Sequence, residues 1–372
     1  MGAMIVPGMG HAMDEGNTGS GTGEAPRLPS LNGARLTVRA DAGPTIGTGH
    51  VMRGLALALG WLRAGGNAQL ASHQLPDALR RRAEAGGVAV HPLPDPRETV
   101  WLDDNDLVAV DGWTFDEEFL ATLAASRAPL LMVDDTAART WVPGAFVVNH
   151  NVYAETEHYA GRTDAAVLAG PRYALLRPEF ARPVPARKHP LVARRLLLLL
   201  GGADPAGVSA TVLAAAQWAR EAEPGLAEIR LVVGAANPAL ARLQSAAGSD
   251  RGIEVLHDVQ DMVSLMDEAD MVVSASGSTV LELASRGAPM LLGALVPEEI
   301  APARRMDALG AAQMLGPFAD LDADSLGASI LGLARDPARR AAMSEIAGTL
   351  VDGHGVARVI AQVAPSVLAL RP

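Results

Sequence analysis

The chain has no cysteine, few aromatic residues and no long apolar run. The lack of cysteine excludes disulfides, thiolate chemistry and cysteine-ligated zinc, and it fits a reducing compartment, so we expect a cytoplasmic protein. The longest apolar run in the body of the sequence, residues 196–200, is far shorter than the roughly 20 residues of a membrane-spanning helix. Aromatic residues make up only 3% of the chain and apolar residues 49%, so the cores must consist of Leu, Val and Ala.

Positive charge is also scarce. The formal net charge is −11, and adjacent arginines are limited to residues 80–82 and the pairs 194–195, 304–305 and 339–340. Nucleic-acid binding normally needs a basic surface, so we expect no nucleic-acid partner. A small anionic ligand stays compatible with this charge, because a few local N–H groups can hold it. Residues 1–33 are rich in Gly, Met and Ser without a continuous apolar segment, which predicts a disordered tail and no signal peptide.

Strand-like and helix-like segments alternate along the first half of the chain. This alternation predicts a parallel β-sheet with helices on both faces. The predicted strands are 36–38, 68–72, 88–93, 107–111, 130–134 and 146–149. The predicted helices are 51–62, 76–85 and 116–125.

The pattern restarts after a proline-rich, charged segment at residues 182–190, which predicts a linker. The strands predicted in the second half are 195–200, 229–233, 253–256, 271–274, 290–292 and 313–315, and three helices close the chain. We therefore predict an α/β protein with two Rossmann-like, doubly wound domains, residues 34–181 and 195–372, joined by a linker at 182–194. Such domains bind ligands at the carboxyl ends of their strands, so we expect a ligand in the cleft between them.

The most informative motif is the turn that contains Gly47, Gly49 and His50, between the first strand and the first helix. Glycines let backbone N–H groups approach an anion, and a helix N-terminus favours negative charge. A histidine there can take or give a proton beside a bound phosphate. The alternative is a tight turn with a surface histidine. Position 52 is Met rather than Gly, so no dinucleotide fingerprint is completed.

A second motif joins a buried strand to a helix through Ser276, Gly277, Ser278 and Thr279. Their hydroxyl and backbone N–H groups can cradle phosphate, although Ser and Thr are also ordinary helix N-caps. Glu282 lies on the Ser278 face of that helix, where a carboxylate can accept bonds from two ribose hydroxyls. Its alternative role is a favourable interaction with the helix dipole.

Polar or glycine-rich segments follow several other strands. Gly201 and Gly202 follow five leucines and can form a backbone surface beside the ligand, or merely a turn. The segments 111–113 and 149–153 can line the cleft or form turns. Asp134 and Asp135 are a pair that could hold a metal, but no His-plus-carboxylate set at ligand spacing supports this, so we predict no metal.

Six segments in this order resemble a known family, the UDP-sugar hydrolases of bacterial pseudaminic acid biosynthesis (the PseG family). The resemblance runs from about residue 35 to about residue 355. It implies the GT-B fold of the lipid II GlcNAc-transferase and the conversion of a UDP-linked 2,4-diacetamido-2,4,6-trideoxy-altrose to UDP and free sugar. The segments are RADAGPTIGTGHVMRGLALA, DDTAART, NHNVYA, YALLRPEF, LLLLLGGADP and SASGSTVLELASRGAPMLL.

The resemblance assigns roles to residues of this chain. It makes His50 the catalytic histidine, Gly47 and Gly49 its turn, residues 276–279 the diphosphate loop and Glu282 the ribose-binding acid. The hydrolysis would occur at the anomeric C–O bond, with His50 as the general base for water, because a helix N-terminus disfavours the charged imidazole. UDP is a good leaving group, so no cofactor is expected if N–H groups hold the developing charge.

The same segments carry Asp41, Arg53 and Asn151, which we expect to contact substrate. Two departures concern the sugar side of the site: Trp113 replaces a common tyrosine, and Glu298-Glu299 replaces a common Asn-Gln pair. The sugar, the pathway and the oligomeric state therefore stay open. Two alternatives also stay open, namely a GT-B glycosyltransferase that uses a UDP-sugar donor, and a nucleotide-sugar binding protein without turnover.

Overall fold

The computed structural model describes residues 26–371 apart from 44–45, 103, 203, 205–206, 235–236 and 258. Within these residues the chain forms two α/β domains, each built on a parallel β-sheet, which confirms the predicted fold class. Apolar strands such as 196–199 are covered on both faces, as expected of parallel sheets.

The first domain contains a seven-stranded sheet of order β3-β2-β1-β4-β5-β6-β7, and every strand pair is parallel. Its strands are β1 (Arg35–Ala40), β2 (Asn67–Ser72), β3 (Ala89–Pro92), β4 (Leu107–Asp111), β5 (Leu130–Val133), β6 (Phe146–Asn149) and β7 (Ala166–Ala169). Its helices are α1 (Gly49–Arg63), α2 (Asp77–Ala85) and α3 (Glu117–Ala124). Strand β7 was absent from the sequence prediction.

The second domain contains a six-stranded parallel sheet of order β10-β9-β8-β11-β12-β13. Its strands are β8 (Arg195–Leu199), β9 (Glu228–Val233), β10 (Ile253–His257), β11 (Met271–Ala275), β12 (Met290–Ala294) and β13 (Gln313–Pro317). The helices of the second half are α4 (Ser209–Ala222), α5 (Leu240–Ala247), α6 (Met262–Glu268), α7 (Thr279–Ser285), α8 (Ile300–Ala308), α9 (Ala323–Ala334), α10 (Pro337–Leu350) and α11 (Gly355–Ala369).

The last helix, α11, packs on the first domain, although we assigned it to the second. Val359, Ile360 and Val363 of α11 are fully buried in the core of the first domain, against α1. Gly60 of α1 permits this approach, because a Cβ built there would lie 2.4 Å from Val356 Cγ1. The chain therefore crosses between the domains twice, and the apolar face of α11 is buried by α1.

Part of the segment predicted as an N-terminal tail packs on the first domain. Leu31 is fully buried, and its N–H donates to the carbonyl of Ala64 at 2.8 Å. The segment from about residue 28 onwards therefore packs on the first domain, while residues 1–25 lie outside the described part of the chain. No helix in the described residues has both the length and the apolar character needed to cross a membrane.

Candidate functional site

The order of each sheet reverses at one point, between β1 and β4 in the first domain and between β8 and β11 in the second. Loops from these two points meet across the cleft. A Cβ built on Gly49 would lie 3.6 Å from Ser278 Oγ, and one built on Gly202 would lie 3.4 Å from Thr48 Oγ1. The glycine-rich turns predicted from the sequence therefore come together at the position where doubly wound sheets bind ligands.

The turn before α1 depends on glycine. Gly43 and Gly47 exchange backbone hydrogen bonds of 3.1 and 2.8 Å, and Gly47 has a φ of +80°, a conformation that side-chain-bearing residues rarely adopt. The turn leads into α1 at Gly49, and the N-cap residue Thr48 makes no capping bond with its side chain. The first N–H groups of α1 are thereby directed at the cleft and can receive an anion.

His50 stands in the first turn of α1 beside the end of β4. Its Nδ1 lies 2.7 Å from Asp111 Oδ1, and only 13% of its side chain is exposed. The Trp113 ring centroid is 6.4 Å from the imidazole centroid, and the indole is largely exposed. Burial alone would raise the pKa of Asp111, but the nearby Arg53 and His50 outweigh it and hold the pKa of this carboxyl below its usual value.

Arg53, which we predicted to contact substrate, is turned into the protein. Its Nε and Nη2 donate to the two oxygens of Asp111 at 2.9 and 2.8 Å. Its Nη1 and Nη2 donate to the two oxygens of Asp135 at 2.5 and 2.9 Å. Arg53 is 7% exposed, so its contact with a ligand would require this ion-pair cluster to open. The sequence signal for Asp111 and Asp135 was their place just after strands β4 and β5.

A second buried histidine, His150, packs on the same cluster. Its Nδ1 accepts the backbone N–H of Leu175 at 3.1 Å, and its Nε2 is 3.4 Å from Arg53 Nη1. Burial, together with the charge of Arg53, lowers the pKa of His150 to about 4, so this ring is neutral near pH 7. Asn151, a predicted substrate contact, donates from Nδ2 to the carbonyl and to Oδ1 of Asp135 at 3.1 and 3.3 Å.

The structure does not bring Asp41 to His50. Its Oδ2 accepts from Arg39 Nη2 at 2.8 Å, and its Oδ1 accepts the backbone N–H groups of His73 and Gln74 at 2.7 and 3.1 Å. Oδ1 also lies 2.8 Å from Arg39 Nη1. This carboxylate ties the end of β1 to the segment after β2. Because these bonds engage both oxygens, the structure shows a structural role for Asp41, and its contact with substrate stays a prediction.

The Ser/Gly loop of the second domain divides into a buried and an exposed part. The Ser276 hydroxyl is buried and donates to the carbonyl of Gly293 at 2.8 Å, so it fixes the loop to β12. Ser278 is exposed on the cleft side, opposite Gly49, and Thr279 begins α7. A Cβ built on Gly277 would lie 3.1 Å from Glu299 Oε1. The Glu299 carboxylate therefore borders the loop on this side, and a phosphate could contact the side chains of Ser278 and Thr279.

Glu282 faces an arginine that the sequence analysis did not single out. Arg177 Nη2 is 3.4 Å from Glu282 Oε1, and Arg177 Nη1 is 2.9 Å from Glu179 Oε1. Burial raises the pKa of Glu282, and Arg177 counteracts part of that rise. A cavity of about 150 Å³ adjoins Arg177 between the domains, and Met52, Arg82 and Gln260 also line it.

Asp134 and Asp135, the two residues that could hold a metal, make hydrogen bonds to different partners. Asp134 Oδ2 accepts from the Tyr159 hydroxyl at 2.8 Å and from the Ala137 N–H at 3.1 Å, whereas Asp135 binds Arg53. Among the residues the structure describes, no group of three or more His, Asp or Glu side chains is arranged to hold a metal ion.

Comparisons with known proteins extend the fold assignment. Residues 196–361, less than half of the chain, match the family model for the glycosyltransferase family 28 C-terminal domain. The spore coat polysaccharide biosynthesis protein SpsG of Bacillus subtilis is 27% identical over 195 residues, which are 52% of this chain and 57% of SpsG. The chain thus spans little more than half the length of this relative.

Two solved structures show the same fold at low identity. The calicheamicin glycosyltransferase CalG4 has a TM-score of 0.60 and 18% identity, with 91% of this chain and 100% of CalG4 covered. The UDP-GlcNAc 2-epimerase of Neisseria meningitidis, bound to UDP-GlcNAc, has a TM-score of 0.61 and 12% identity, with coverage of 89% and 99%. The protein therefore has the GT-B fold of such glycosyltransferases, while the narrower resemblance to the PseG hydrolases stays a prediction.

Proposed function

We propose that the protein is an enzyme that binds a UDP-sugar in the cleft between its domains and cleaves the bond between the anomeric carbon and the diphosphate. The observation that carries the proposal is the His50–Asp111 pair, which stands at the N-terminus of α1 opposite the Ser/Gly loop at 276–279. The family match of residues 196–361 and the nucleotide-sugar bound to the Neisseria epimerase support the choice of ligand.

The two glycine-rich turns would share the diphosphate. The first N–H groups of α1 lie on one side, and the Gly277 backbone with the Ser278 and Thr279 hydroxyls lies on the other. Backbone N–H groups fixed in position stabilise the charge that develops on the leaving UDP without reorganising during the reaction. Glu282, one turn further along α7, would accept hydrogen bonds from the ribose hydroxyls.

His50 would serve as the general base. When the neutral ring donates its Nδ1–H to Asp111, the lone pair of Nε2 is free to take a proton from the attacking hydroxyl. The exposed indole of Trp113 lies beside this ring and offers a flat face to the sugar. These groups orient the nucleophile, remove its proton and stack on the sugar.

Glycosyl transfer to an acceptor hydroxyl is the better supported reaction. The C-terminal match is to a glycosyltransferase domain, and the relative SpsG is named for polysaccharide biosynthesis. Hydrolysis is the second candidate, because six segments of the sequence resemble the PseG hydrolases and because the same base can activate water. The two reactions use the same site and differ only in what occupies the nucleophile's position.

Release of UDP from a panel of UDP-sugars, with and without sugar acceptors, tests the proposal. UDP release that requires an acceptor identifies a transferase, whereas UDP and free sugar formed without an acceptor identify a hydrolase. Tight binding of UDP-sugars without any release of UDP would contradict the proposed enzyme and support a binding protein.

A further inference from the structure

The guanidinium of Arg53 lies between two carboxylates from different strand ends. Both hydrogens of Nη2 and the single hydrogen of Nε are directed at Asp111 or Asp135 oxygens, and Nη1 donates to Asp135 as well. The loop after β6 holds Asp135 in turn, since Asn151 and Tyr153 donate to its carbonyl. Arg53 therefore cannot turn toward a ligand without leaving the buried Asp111 carboxylate and the partly exposed Asp135 carboxylate unpaired.

This arrangement determines which nitrogen of His50 carries the proton. Arg53 Nη2 is 2.9 Å from His50 Nδ1, but its hydrogens already point at carboxylate oxygens. Nδ1 must then carry its own hydrogen and donate it to Asp111 Oδ1 at 2.7 Å. The unprotonated nitrogen is Nε2, the atom that a general base needs.

Asp111 and Asp135 both stay ionised beside His50 only while Arg53 is charged. Burial would raise the pKa of both Asp111 and Asp135, and Arg53 makes the largest opposing contribution for each. Without the guanidinium, the buried Asp111 carboxylate beside the negative charge of Asp135 would take up a proton. Its O–H would then donate to Nδ1, and the ring proton would move to Nε2.

We propose that Arg53, clamped by Asp135, is the positioning residue that keeps Asp111 ionised and thereby leaves Nε2 of His50 free to act as a base. The proposal rests on the proposed function of His50. Among the described residues, the charged and titratable groups of this cluster are Arg53 on the helix of His50, Asp111 at the end of β4, Asp135 after β5, and the neutral His150 after β6, which contacts Arg53.

The test is ¹⁵N NMR of the histidine rings in the full-length protein, combined with UDP release, for Arg53→Met, Arg53→Lys and wild type. We expect Nε2 of His50 to be unprotonated in wild type and protonated in Arg53→Met. UDP release by Arg53→Met should fall by about 10²-fold, the scale of a misplaced catalytic group, with KM almost unchanged. Arg53→Lys keeps the cation and should restore the free Nε2 and part of the rate.

Asp135→Asn provides a second test if Arg53→Met fails to fold, because it keeps the cation and removes only the clamp. Its matched control is Asp267→Asn in the second domain, where Asp267 accepts from Arg286 Nε and Nη2 at 2.8 and 2.7 Å, away from the cleft. We expect both variants to lose thermal stability and only Asp135→Asn to lose turnover, by about tenfold.

An Nε2 that stays unprotonated in Arg53→Met would overturn the proposal. So would an Asp135→Asn enzyme that keeps the turnover of Asp267→Asn. The NMR comparison needs no substrate. If the wild-type protein releases no UDP from any UDP-sugar, the proposed function fails, and the protonation of His50 still decides the role of Arg53.

Discussion

His50 Nδ1 and Asp111 Oδ1 lie 2.7 Å apart although 61 residues separate them in the chain. The contact joins the first turn of α1 to the end of β4, the neighbour of β1 at the point where the strand order reverses. Because Asp111 also accepts from both Nε and Nη2 of Arg53, its carboxylate is held in place against the imidazole at the mouth of the cleft.

Asp111→Asn should lose most of the activity. The amide can donate to Nδ1 and so move the ring proton to Nε2, which removes the base; the expected loss in kcat is about 10²- to 10⁴-fold. Steady-state UDP release measures it. The matched control is Asp134→Asn, which changes a buried carboxylate at the end of β5 that binds Tyr159 rather than Arg53. Equal rates for the two variants would remove Asp111 from the mechanism.

Glu282→Ala should weaken UDP binding by about 10- to 100-fold, the value of a hydrogen bond to a charged group, and change kcat much less. Calorimetric titration with UDP measures the affinity. Glu179→Ala is the control, since Glu179 also pairs with Arg177 at 2.9 Å. If Glu179→Ala has the same effect, Glu282 acts only by holding Arg177.

The burial of Glu282 predicts that UDP binding depends on pH. Burial raises the pKa of Glu282, so its carboxylate takes up a proton at a higher pH than an ordinary glutamate does. A protonated carboxyl is a poorer acceptor for ribose hydroxyls. UDP affinity should therefore weaken as the pH falls through this raised pKa, and the Glu282→Ala variant should lack that acid-side decline.

The packing of α11 on the first domain gives a prediction about stability. In Gly60→Ala the new Cβ would meet Val356 Cγ1 at 2.4 Å, and such overpacking costs about 1–3 kcal/mol. The control is Gly332→Ala in α9, where a Cβ meets nothing within 4 Å and a better helix former should stabilise slightly. Thermal unfolding compares them. A Gly60→Ala protein as stable as wild type would mean that α11 can shift without cost.

The sequence predicted the fold well because most strands of both sheets are short, apolar and bounded by glycine or polar turns. Leu107–Asp111 and Phe146–Asn149 were found with their observed bounds. Ala166–Ala169 was missed because it is a partly exposed edge strand of four residues with little apolar pattern. The destination of α11 was missed because periodicity reveals an apolar face but not the helix that covers it.

The site was only partly predicted, because topology fixes where strand ends meet but not which polar groups pair there. His50, Gly49 and Ser278 follow strand ends, and topology alone brings strand ends together at one edge. Which polar groups then pair depends on contacts between distant segments, so neither the bonds of Asp41 to Arg39 nor the burial of Arg53 between Asp111 and Asp135 was foreseen. Arg177 lies in the YALLRPEF segment but was not singled out, since a single arginine in an irregular segment has no pattern.

The most direct measurement of the central claim is turnover of a UDP-sugar labelled with ¹⁸O at the oxygen between the anomeric carbon and phosphorus, by wild type and by His50→Asn. Attack at the anomeric carbon leaves the label in UDP, whether the nucleophile is water or an acceptor hydroxyl. We predict label in UDP and a His50→Asn rate lower by about 10²- to 10⁴-fold, the value of a positioned general base, with UDP binding retained. Label retained in the sugar, or a His50→Asn enzyme near the wild-type rate, would contradict the account.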